Sequence, residues 1–229
     1  CDGRSGEYLG PCVERRKTDL RDPQAIAVDS NRRIYVAGAG NDSVIEYAGN
    51  NGLRTRSFTS PDLRRPTALL LAEPTLLLVA NGLDNSVVQF DLDTARPLGV
   101  LVQPGEGGLS GPSAMLRSFE GHLLIASRHT NQVLEYDWKT GAFRRVACEG
   151  AGLAGPSSLL LETGQSILVA SRDSGEILRF AQDGTFLGWF VCAGSGGLAS
   201  PDSMVWGANG NLFVCSLKNH SVLEFNRID

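Results

Sequence analysis

Residues 201–225 read PDSMVWGANGNLFVCSLKNHSVLEF. They contain three short apolar segments, PDSMVW, LFVCS and SVLEF, which are separated by turns rich in glycine, asparagine and serine. Segments of this length, bounded by turn residues and rich in β-branched and aromatic side chains, predict β-strands. The third segment has four earlier counterparts in the chain, SVIEY, SVVQF, QVLEY and EILRF. The stretch is therefore the last copy of a repeat.

The repeat is anchored on five prolines, which are spaced 43 to 46 residues apart. They are Pro23, Pro66, Pro112, Pro156 and Pro201. We number every repeat from its proline, which is repeat position 0. A leucine lies three residues before each proline, a small residue lies at repeat position 14, and an aromatic residue lies at repeat position 24. A period of this length is typical of propellers and solenoids.

Each repeat has room for four strands. The second segment is almost continuously apolar, as in RIYVA, LLLVA, LLIAS and SILVA, which indicates a middle strand that is buried on both faces. The third segment alternates, and a fourth follows as RPLGVLV, AFRRVAC or TFLGWFV. Helical periodicity of useful length is absent from the sequence. These patterns predict an all-β, five-bladed β-propeller of four-stranded antiparallel blades.

The last repeat has no fourth segment of its own. Residues 6–13, GEYLGPCV, match GTFLGWFV at 184–191, which is the fourth segment of the preceding repeat. We therefore expect residues 6–13 to form the outer strand of the last blade and to close the ring, which would remove an exposed sheet edge. The prediction is a single propeller domain over residues 1–229.

The repeats resemble the NHL-type propeller repeat, most clearly at 194–225, GSGGLASPDSMVWGANGNLFVCSLKNHSVLEF, in the form found in secreted bacterial repeat proteins. The resemblance covers nearly the whole chain. It implies a platform that binds protein, RNA or sugar, or more rarely an enzyme. Two features depart from it, because such propellers more often have six or seven blades and often carry an aspartate just after the second strand. Repeat position 15 holds instead Gly38, Asn81, Ser127, Ser171 and Ser216.

The composition excludes several classes of partner and cofactor. A net charge of −4 and a pI of about 5.4 argue against binding to nucleic acid or to anionic lipid. No apolar run approaches the roughly 20 residues of a membrane span. Small residues line the expected channel at repeat position 2, and the cysteines show no CxxC spacing, so we expect neither a metal nor another cofactor.

The five cysteines carry separate expectations. Cys1–Cys12 is the one plausible disulfide, whereas Cys148 and Cys192 are expected too far apart on the outer rim to be bridged. Cys215 replaces an alanine at repeat position 14 and is expected to be a buried free thiol. Cys1 can be read as the lipidated cysteine of an envelope protein or as a truncated start. We expect an extracellular or cell-envelope location.

The loops between the second and third strands differ most between repeats, so function is sought on their face of the disc. The candidate binding residues are Arg128, His129, Arg172, Asp173, Lys218, His220 and, just after the last repeat proline, Asp202. With Asp42 and Asp84 in the remaining loops, these charges divide the channel mouth into a basic and an acidic sector. Arginines in this setting grip carboxylates or acidic glycans. The alternative is that the charges only keep the face solvated.

Three functions stay open. The first is a non-catalytic platform that presents this face to a protein, a glycan or a small acidic ligand. The second is a lyase-like or lactonase-like enzyme in which His129 and His220 converge. The third is a structural module of an extracellular assembly. His122 begins a second strand on the opposite face, where a structural role is expected.

Overall fold

The computed structural model describes residues 20–72 and 75–226. Their strands form five antiparallel sheets, each built from strands that follow one another in sequence. The first four sheets have four strands, and the last has three within the described residues. Each sheet is one repeat, so the predicted all-β, five-bladed propeller is confirmed. The predicted closing strand, residues 6–13, lies outside the described residues.

Every sheet begins with its proline. The strands of blades 1 to 3 are β1 (Pro23–Val28), β2 (Arg33–Gly38), β3 (Ser43–Ala48), β4 (Arg54–Phe58), β5 (Pro66–Ala72), β6 (Leu76–Asn81), β7 (Ser86–Asp91), β8 (Pro97–Val102), β9 (Pro112–Arg117), β10 (Leu123–Ser127), β11 (Gln132–Tyr136) and β12 (Phe143–Cys148). Those of blades 4 and 5 are β13 (Pro156–Glu162), β14 (Ser166–Ser171), β15 (Glu176–Ala181), β16 (Phe186–Val191), β17 (Pro201–Trp206), β18 (Leu212–Ser216) and β19 (Ser221–Phe225).

The continuous apolar segments are the second strands, as predicted. Every residue of β10 and of β14 is buried, because neighbouring strands lie on both sides and neighbouring blades cover both faces. The described residues contain no helix long and apolar enough to cross a membrane. Their helical segments are three-residue 3-10 turns.

The core of the protein is divided into layers between the blades. We call the blade face that carries repeat positions 2, 4, 12, 14 and 21 the downstream face, and the face that carries positions 3, 11, 13, 22 and 24 the upstream face; strand register places each set on one side of its sheet. The downstream face of one blade packs on the upstream face of the next. Between blades 3 and 4, for example, Ala126 and Val133 share a cluster with Leu159, Leu178 and Phe180.

The repeated side chains serve this packing. The aromatic residues at repeat position 24 of blades 1 to 4 are completely buried, and those of blades 2 to 4 lie in interblade clusters. The leucines that precede the prolines of blades 2 to 5 are also buried in these clusters, namely Leu63, Leu109, Leu153 and Leu198. The residues that recur in every blade are therefore those that pack one blade against the next.

Blade 5 differs from the other blades in that its downstream face is exposed. The inner strands of consecutive blades pack together from β1 through β17, but no comparable packing joins β17 back to β1. Cys215 lies on the downstream face of blade 5 and is exposed, so the expectation of a buried thiol is wrong. Its alanine counterparts in blades 1 to 4 are buried because a following blade covers them, and within the described residues Cys215 has no such cover.

Candidate functional site

The inner strands surround a central cavity of about 590 Å³. All five contribute repeat positions 1 and 2 to its wall. The residues at position 2 are Ala25, Ala68, Ala114, Ser158 and Ser203, which is the channel lining that the repeat register predicts. Because these side chains are small, they leave room for the cavity.

The hydroxyl groups at repeat position 1 connect the blades. Thr67 donates to the Pro112 carbonyl at 2.6 Å, Ser113 donates to the Pro156 carbonyl at 2.6 Å, and Ser157 donates to the Pro201 carbonyl at 2.8 Å. These hydroxyls join the inner strands of blades 2 to 5. Their first role is therefore structural, although they also line the cavity.

The loops between the second and third strands form the rim on one side. Their backbones are fixed to the linker that precedes the proline of the same blade; for example, Arg172 and Asp173 donate N–H groups to the carbonyls of Gly155 and Ala154. Repeat position 16 points to the cavity in the first four blades. It holds Ala39, Gly82, Arg128 and Arg172. Small residues in two blades and arginines in the next two make the rim asymmetric.

The charge at the cavity is mainly positive. The Arg172 guanidinium forms an ion pair with the Asp202 carboxylate at 2.9 Å across the boundary between blades 4 and 5. The half-buried Arg128 guanidinium has no ion pair or hydrogen bond within the described part of the chain, and Arg65 adds a third cation to the wall. Asp202 is the one carboxylate among the lining residues. Asp202 therefore holds Arg172 in place, whereas the guanidinium of Arg128 has no partner among the described residues.

His129 also lies in the cavity wall, next to Arg128. Its Nδ1 atom lies 3.4 Å from the Ser110 hydroxyl. The imidazole packs over Gly111, where an added Cβ would come within 2.8 Å of the ring. Gly111 also has a φ of 65°, so glycine is required there on both counts. The linker glycine thus makes the space in which His129 sits.

The other predicted site residues lie elsewhere. Asp173, Lys218 and His220 are exposed and are not among the residues that line the cavity, so His129 and His220 do not share it. Asp42 and Asp84 are also outside it. The acidic sector predicted for the mouth is therefore not formed by these two aspartates. The residues that the structure brings together are Arg128, His129, Arg172 and Asp202.

Asp42 instead belongs to a set of loop residues at repeat position 19. Its Oδ1 atom accepts a hydrogen bond at 2.7 Å from the N–H of Arg65, the residue before the next proline. Asn85 and Asn131 do the same for Gly111 and Gly155. This linkage between blades was missed from sequence, although the run of Asp, Asn and Asn at one repeat position is the signal that identifies it.

Repeat position 15 also has a structural role. The buried Ser171 hydroxyl accepts a hydrogen bond from the Ala154 N–H at 2.8 Å and donates one to the Ala154 carbonyl at 3.1 Å. Ser127 and Ser216 make the same pair of bonds with their own linkers. The residues that replace the aspartate of the NHL-type pattern therefore clamp the linkers to the blades.

The described residues contain no group of three or more histidine, cysteine, aspartate or glutamate side chains placed to hold a metal ion. The polar groups that line the cavity are three guanidinium groups, one imidazole, one amide, several hydroxyl groups and one carboxylate.

Known structures share the fold. The chain is similar to virginiamycin B lyase from Staphylococcus aureus, with a TM-score of 0.70 and 12% identity over 90% of this chain and 70% of that one. A streptogramin B lyase structure gives a TM-score of 0.71 at 16% identity, covering 89% of this chain and 64% of that chain. A chain of a nidogen/laminin complex gives 0.74 at 16% identity, covering 90% and 76%. The neighbours thus include lyases and a binding complex.

No family model matches the sequence, and no curated protein matches it. At these identities the structural likeness concerns the fold alone. The chain spans about two thirds to three quarters of the length of the three neighbours.

Proposed function

We propose that this protein is a non-catalytic binding propeller whose central cavity takes a small carboxylate or the acidic group of a glycan. The observation that carries the proposal is the guanidinium of Arg128, which has no partner among residues 20–72 and 75–226, beside the Arg172–Asp202 pair. With Arg65, the wall holds three arginines against one carboxylate. A cavity of about 590 Å³ is within the usual range for small-molecule sites.

Arg128 is the anchor in this proposal. A free guanidinium presents two parallel N–H groups to a carboxylate, and such charge-assisted pairs are the strong polar contacts of binding sites. Asp202 fixes the orientation of Arg172, so less side-chain entropy is lost when Arg172 also contacts the ligand. The hydroxyl groups of Thr67 and Ser113 offer acceptor lone pairs to hydroxyl groups of a sugar.

The test is a binding screen by isothermal titration calorimetry with citrate, succinate, D-galacturonate and oligogalacturonates. We expect at least one of these acids to bind the wild-type protein. Arg128→Ala removes a charge-assisted contact worth about 1.5–3 kcal/mol, so affinity falls by roughly 10- to 150-fold. Arg172→Ala weakens binding as well, and the double variant does not bind detectably.

Lys218→Ala is the matched control, because Lys218 is a cation of the same loop class that lies outside the cavity. It should bind as the wild type does. Equal binding by the Arg128→Ala/Arg172→Ala protein, or no binding of any acid by the wild type, contradicts the proposal.

The resemblance and the expected location fit this use. The match of residues 194–225 to the NHL-type pattern supports an NHL-type repeat, and such a propeller at the cell surface would meet acidic glycans. A protein ligand that presents a carboxylate at the cavity is compatible with the same site. A chain from a nidogen/laminin complex is among the fold neighbours.

A lyase-like activity is the second candidate. It is favoured by His129, an imidazole in the cavity wall beside a free arginine, and by the lyases among the fold neighbours. Quinupristin is the compound found with a catalytically inactive virginiamycin B lyase in another structure of this fold. Incubation of the present protein with quinupristin, followed by chromatography, tests the activity. Turnover that His129→Asn abolishes would establish the enzyme, and an unchanged substrate peak would exclude this reaction.

A further inference from the structure

The rim of the cavity is built from one hydrogen-bonded pair of residues in each blade. The N–H group at repeat position 16 donates to the carbonyl of the residue just before the repeat proline, at 2.9–3.1 Å in all five blades. We call these two residues the rim pair of a blade. In blade order, the rim pairs are Asp22 and Ala39, Arg65 and Gly82, Gly111 and Arg128, Gly155 and Arg172, and Ser200 and Leu217.

The rim pairs of blades 2, 3 and 4 each consist of one arginine and one glycine. In blades 3 and 4 the arginine is at repeat position 16, as Arg128 and Arg172. In blade 2 the order is reversed, because Arg65 precedes the proline and Gly82 is at position 16. A Cβ on Gly82 would come within 2.6 Å of the Thr67 Cγ2 atom and 3.0 Å of the Arg65 carbonyl oxygen. Three neighbouring blades thus supply one arginine each to the wall, and the rim pairs of the other two supply none.

The backbone of Arg65 adopts a conformation that does not favour arginine. The residue before the repeat proline has a φ between 49° and 65° in all five blades, and that of Arg65 is 49°. Glycine adopts this left-handed region without strain, as Gly111 and Gly155 do in the next two blades, whereas a residue with a long side chain is disfavoured there. The exposed Arg65 side chain makes no contact among the described residues that would offset this strain. Strain of this kind is typical of functional sites.

The charges of the wall are not balanced. The lining residues carry three guanidinium groups and the single carboxylate of Asp202, which pairs with Arg172 at 2.9 Å. The side chains of Arg65 and Arg128 form no ion pair or hydrogen bond within residues 20–72 and 75–226. With histidine neutral, two positive charges are therefore left for a ligand to compensate.

These two arginines lie on neighbouring blades. The inner strands of blades 2 and 3 are in direct contact, since the Thr67 hydroxyl donates to the Pro112 carbonyl at 2.6 Å. Arg65 lies two residues before Thr67, and the Arg128 N–H is bonded to Gly111, the residue before Pro112. Sheets that pack face to face lie about 10 Å apart, so the two arginine backbones are separated by about one blade spacing. A ligand of a few carbon atoms can therefore contact both guanidinium groups.

We propose that the ligand of the cavity is a dicarboxylate, with one carboxylate on Arg128 and the other on Arg65. This inference rests on the proposed function and narrows it, because a diacid compensates both unpaired charges whereas a monoacid or a single uronate compensates one. Arg65 is thus a second anchor, and it determines the preference for two acidic groups. Each contact is a charge-assisted pair of the kind that guanidinium groups form with carboxylates.

The test compares succinate, glutarate and adipate with the monoacid butyrate by isothermal titration calorimetry. Measurements at pH 8 keep carboxylic acids ionised and histidine ordinarily neutral. At least one diacid is expected to bind the wild-type protein about tenfold more tightly than butyrate, or more, because it makes a second charge-assisted contact.

Arg65→Gly separates binding from folding. Glycine relieves the strain of the positive φ, so the midpoint of thermal unfolding is expected to stay the same or to rise. The affinity for the preferred diacid is expected to fall by about tenfold, and the preference over butyrate to be lost.

Arg64→Ala is the matched control. Arg64 is the preceding arginine in the chain, but it is not among the lining residues and lies 3.9 Å from the Asp84 carboxylate. Its replacement is expected to leave the affinity for the diacid and the preference over butyrate unchanged.

The outcomes separate this inference from the proposed function. If butyrate and every diacid bind equally and Arg128→Ala weakens all of them, the dicarboxylate inference is wrong and the proposed function stands. A diacid preference that persists in the Arg65→Gly protein also overturns the inference. If no acid binds the wild-type protein, both are wrong.

Discussion

The backbone at repeat position 19 adopts the left-handed conformation in every blade. The φ angles of Asp42, Asn85, Asn131, Gly175 and His220 lie between 47° and 78°. Asparagine, aspartate and glycine tolerate this region better than other residues. In three blades the side chain also accepts the hydrogen bond from the linker before the next proline. One residue thus shapes its own loop and holds the next blade.

Asn131 allows these two roles to be separated. Asn131→Gly removes the 2.8 Å bond from the Gly155 N–H but keeps a residue that adopts a φ of 58° without strain. Asn131→Ala removes the bond and adds the strain of a Cβ. We expect Asn131→Ala to lower the free energy of unfolding by about 1–2 kcal/mol and Asn131→Gly to lower it less. Urea unfolding measures the free energies of both variants. If Asn131→Ala is as stable as Asn131→Gly, the Cβ at this position causes no backbone strain.

The described cysteines differ in reactivity for a reason of burial. Burial raises the pKa of the Cys148 thiol to about 12, whereas Cys192 and Cys215 are exposed. Iodoacetamide at pH 8, with peptide mass spectrometry, is expected to label Cys192 and Cys215 and to spare Cys148 in the folded protein. Rapid labelling of Cys148 without unfolding would contradict this packing.

The same thiol predicts a dependence of stability on pH. An unfolded cysteine loses its proton near a pKa of about 8.5, while folded Cys148 keeps its proton up to about 12. The contribution of Cys148 is therefore complete below pH ~8.5 and is lost as pH rises towards the folded pKa. Cys148→Ala should show a smaller fall in the free energy of unfolding between pH 8 and pH 10. An identical fall in both proteins would exclude this origin.

At the scale of elements, the linkers are held by short side chains rather than by further strands. Ser171 shows the principle, since its hydroxyl satisfies both the N–H and the carbonyl of Ala154 and accepts a bond from Ser174 at 2.6 Å. The loop that carries Arg172 depends on this clamp, because Arg172 is bonded to the same linker through its backbone. The position of the cavity arginines therefore rests on the serine beside them.

Ser171→Ala is expected to lower the free energy of unfolding by about 1–3 kcal/mol, because it leaves the Ala154 N–H without its partner beside a buried side chain and removes one of the two hydrogen bonds to the Ala154 carbonyl. Ser195→Ala serves as the control, since Ser195 is exposed in a 3-10 turn and should be neutral. Thermal and urea unfolding measure the difference. Equal stability of the two variants would mean that the linker is held by other contacts.

At the scale of the whole molecule, the difference in burial between the middle blades and blade 5 predicts a gradient of local stability. The second strands of blades 3 and 4 are buried throughout, whereas β17 and β19 of blade 5 carry exposed residues. Hydrogen exchange should be slowest in β10 and β14 and faster in β17 and β19. Uniform protection of all five blades would contradict this gradient.

The fold could be predicted from the sequence because the repeat is regularly spaced. The proline, leucine and aromatic positions recur at fixed offsets because each blade meets the next in the same way, so the strands, the buried aromatics and the channel lining at repeat position 2 followed directly. Cys215 was misplaced for the same reason, because the prediction gave the last blade a neighbour that no described contact supplies.

The candidate site was predictable only as a face of the disc. The register places Arg128 and Arg172 at one repeat position, but it does not tell that Asp202 pairs with Arg172 or that Lys218 lies away from the cavity. Arg172 is paired and Arg128 is not because of the directions in which side chains of neighbouring blades point. The spacing of residues along the chain does not predict these directions. The roles of Asp42 and Thr67 in joining blades were hidden in the same way.

The most direct test of the proposed function is the ¹⁵N spectrum of the arginine side chains during titration with the acid that binds best in the screen. The Nε–H signal of Arg128 is expected to shift in proportion to occupancy, with a smaller shift at Arg172, while the signals of Arg56 and Arg145, which hold carbonyl groups of neighbouring blades, stay in place. Binding with an unmoved Arg128 signal would show that the acid binds elsewhere, and the proposed site would be wrong.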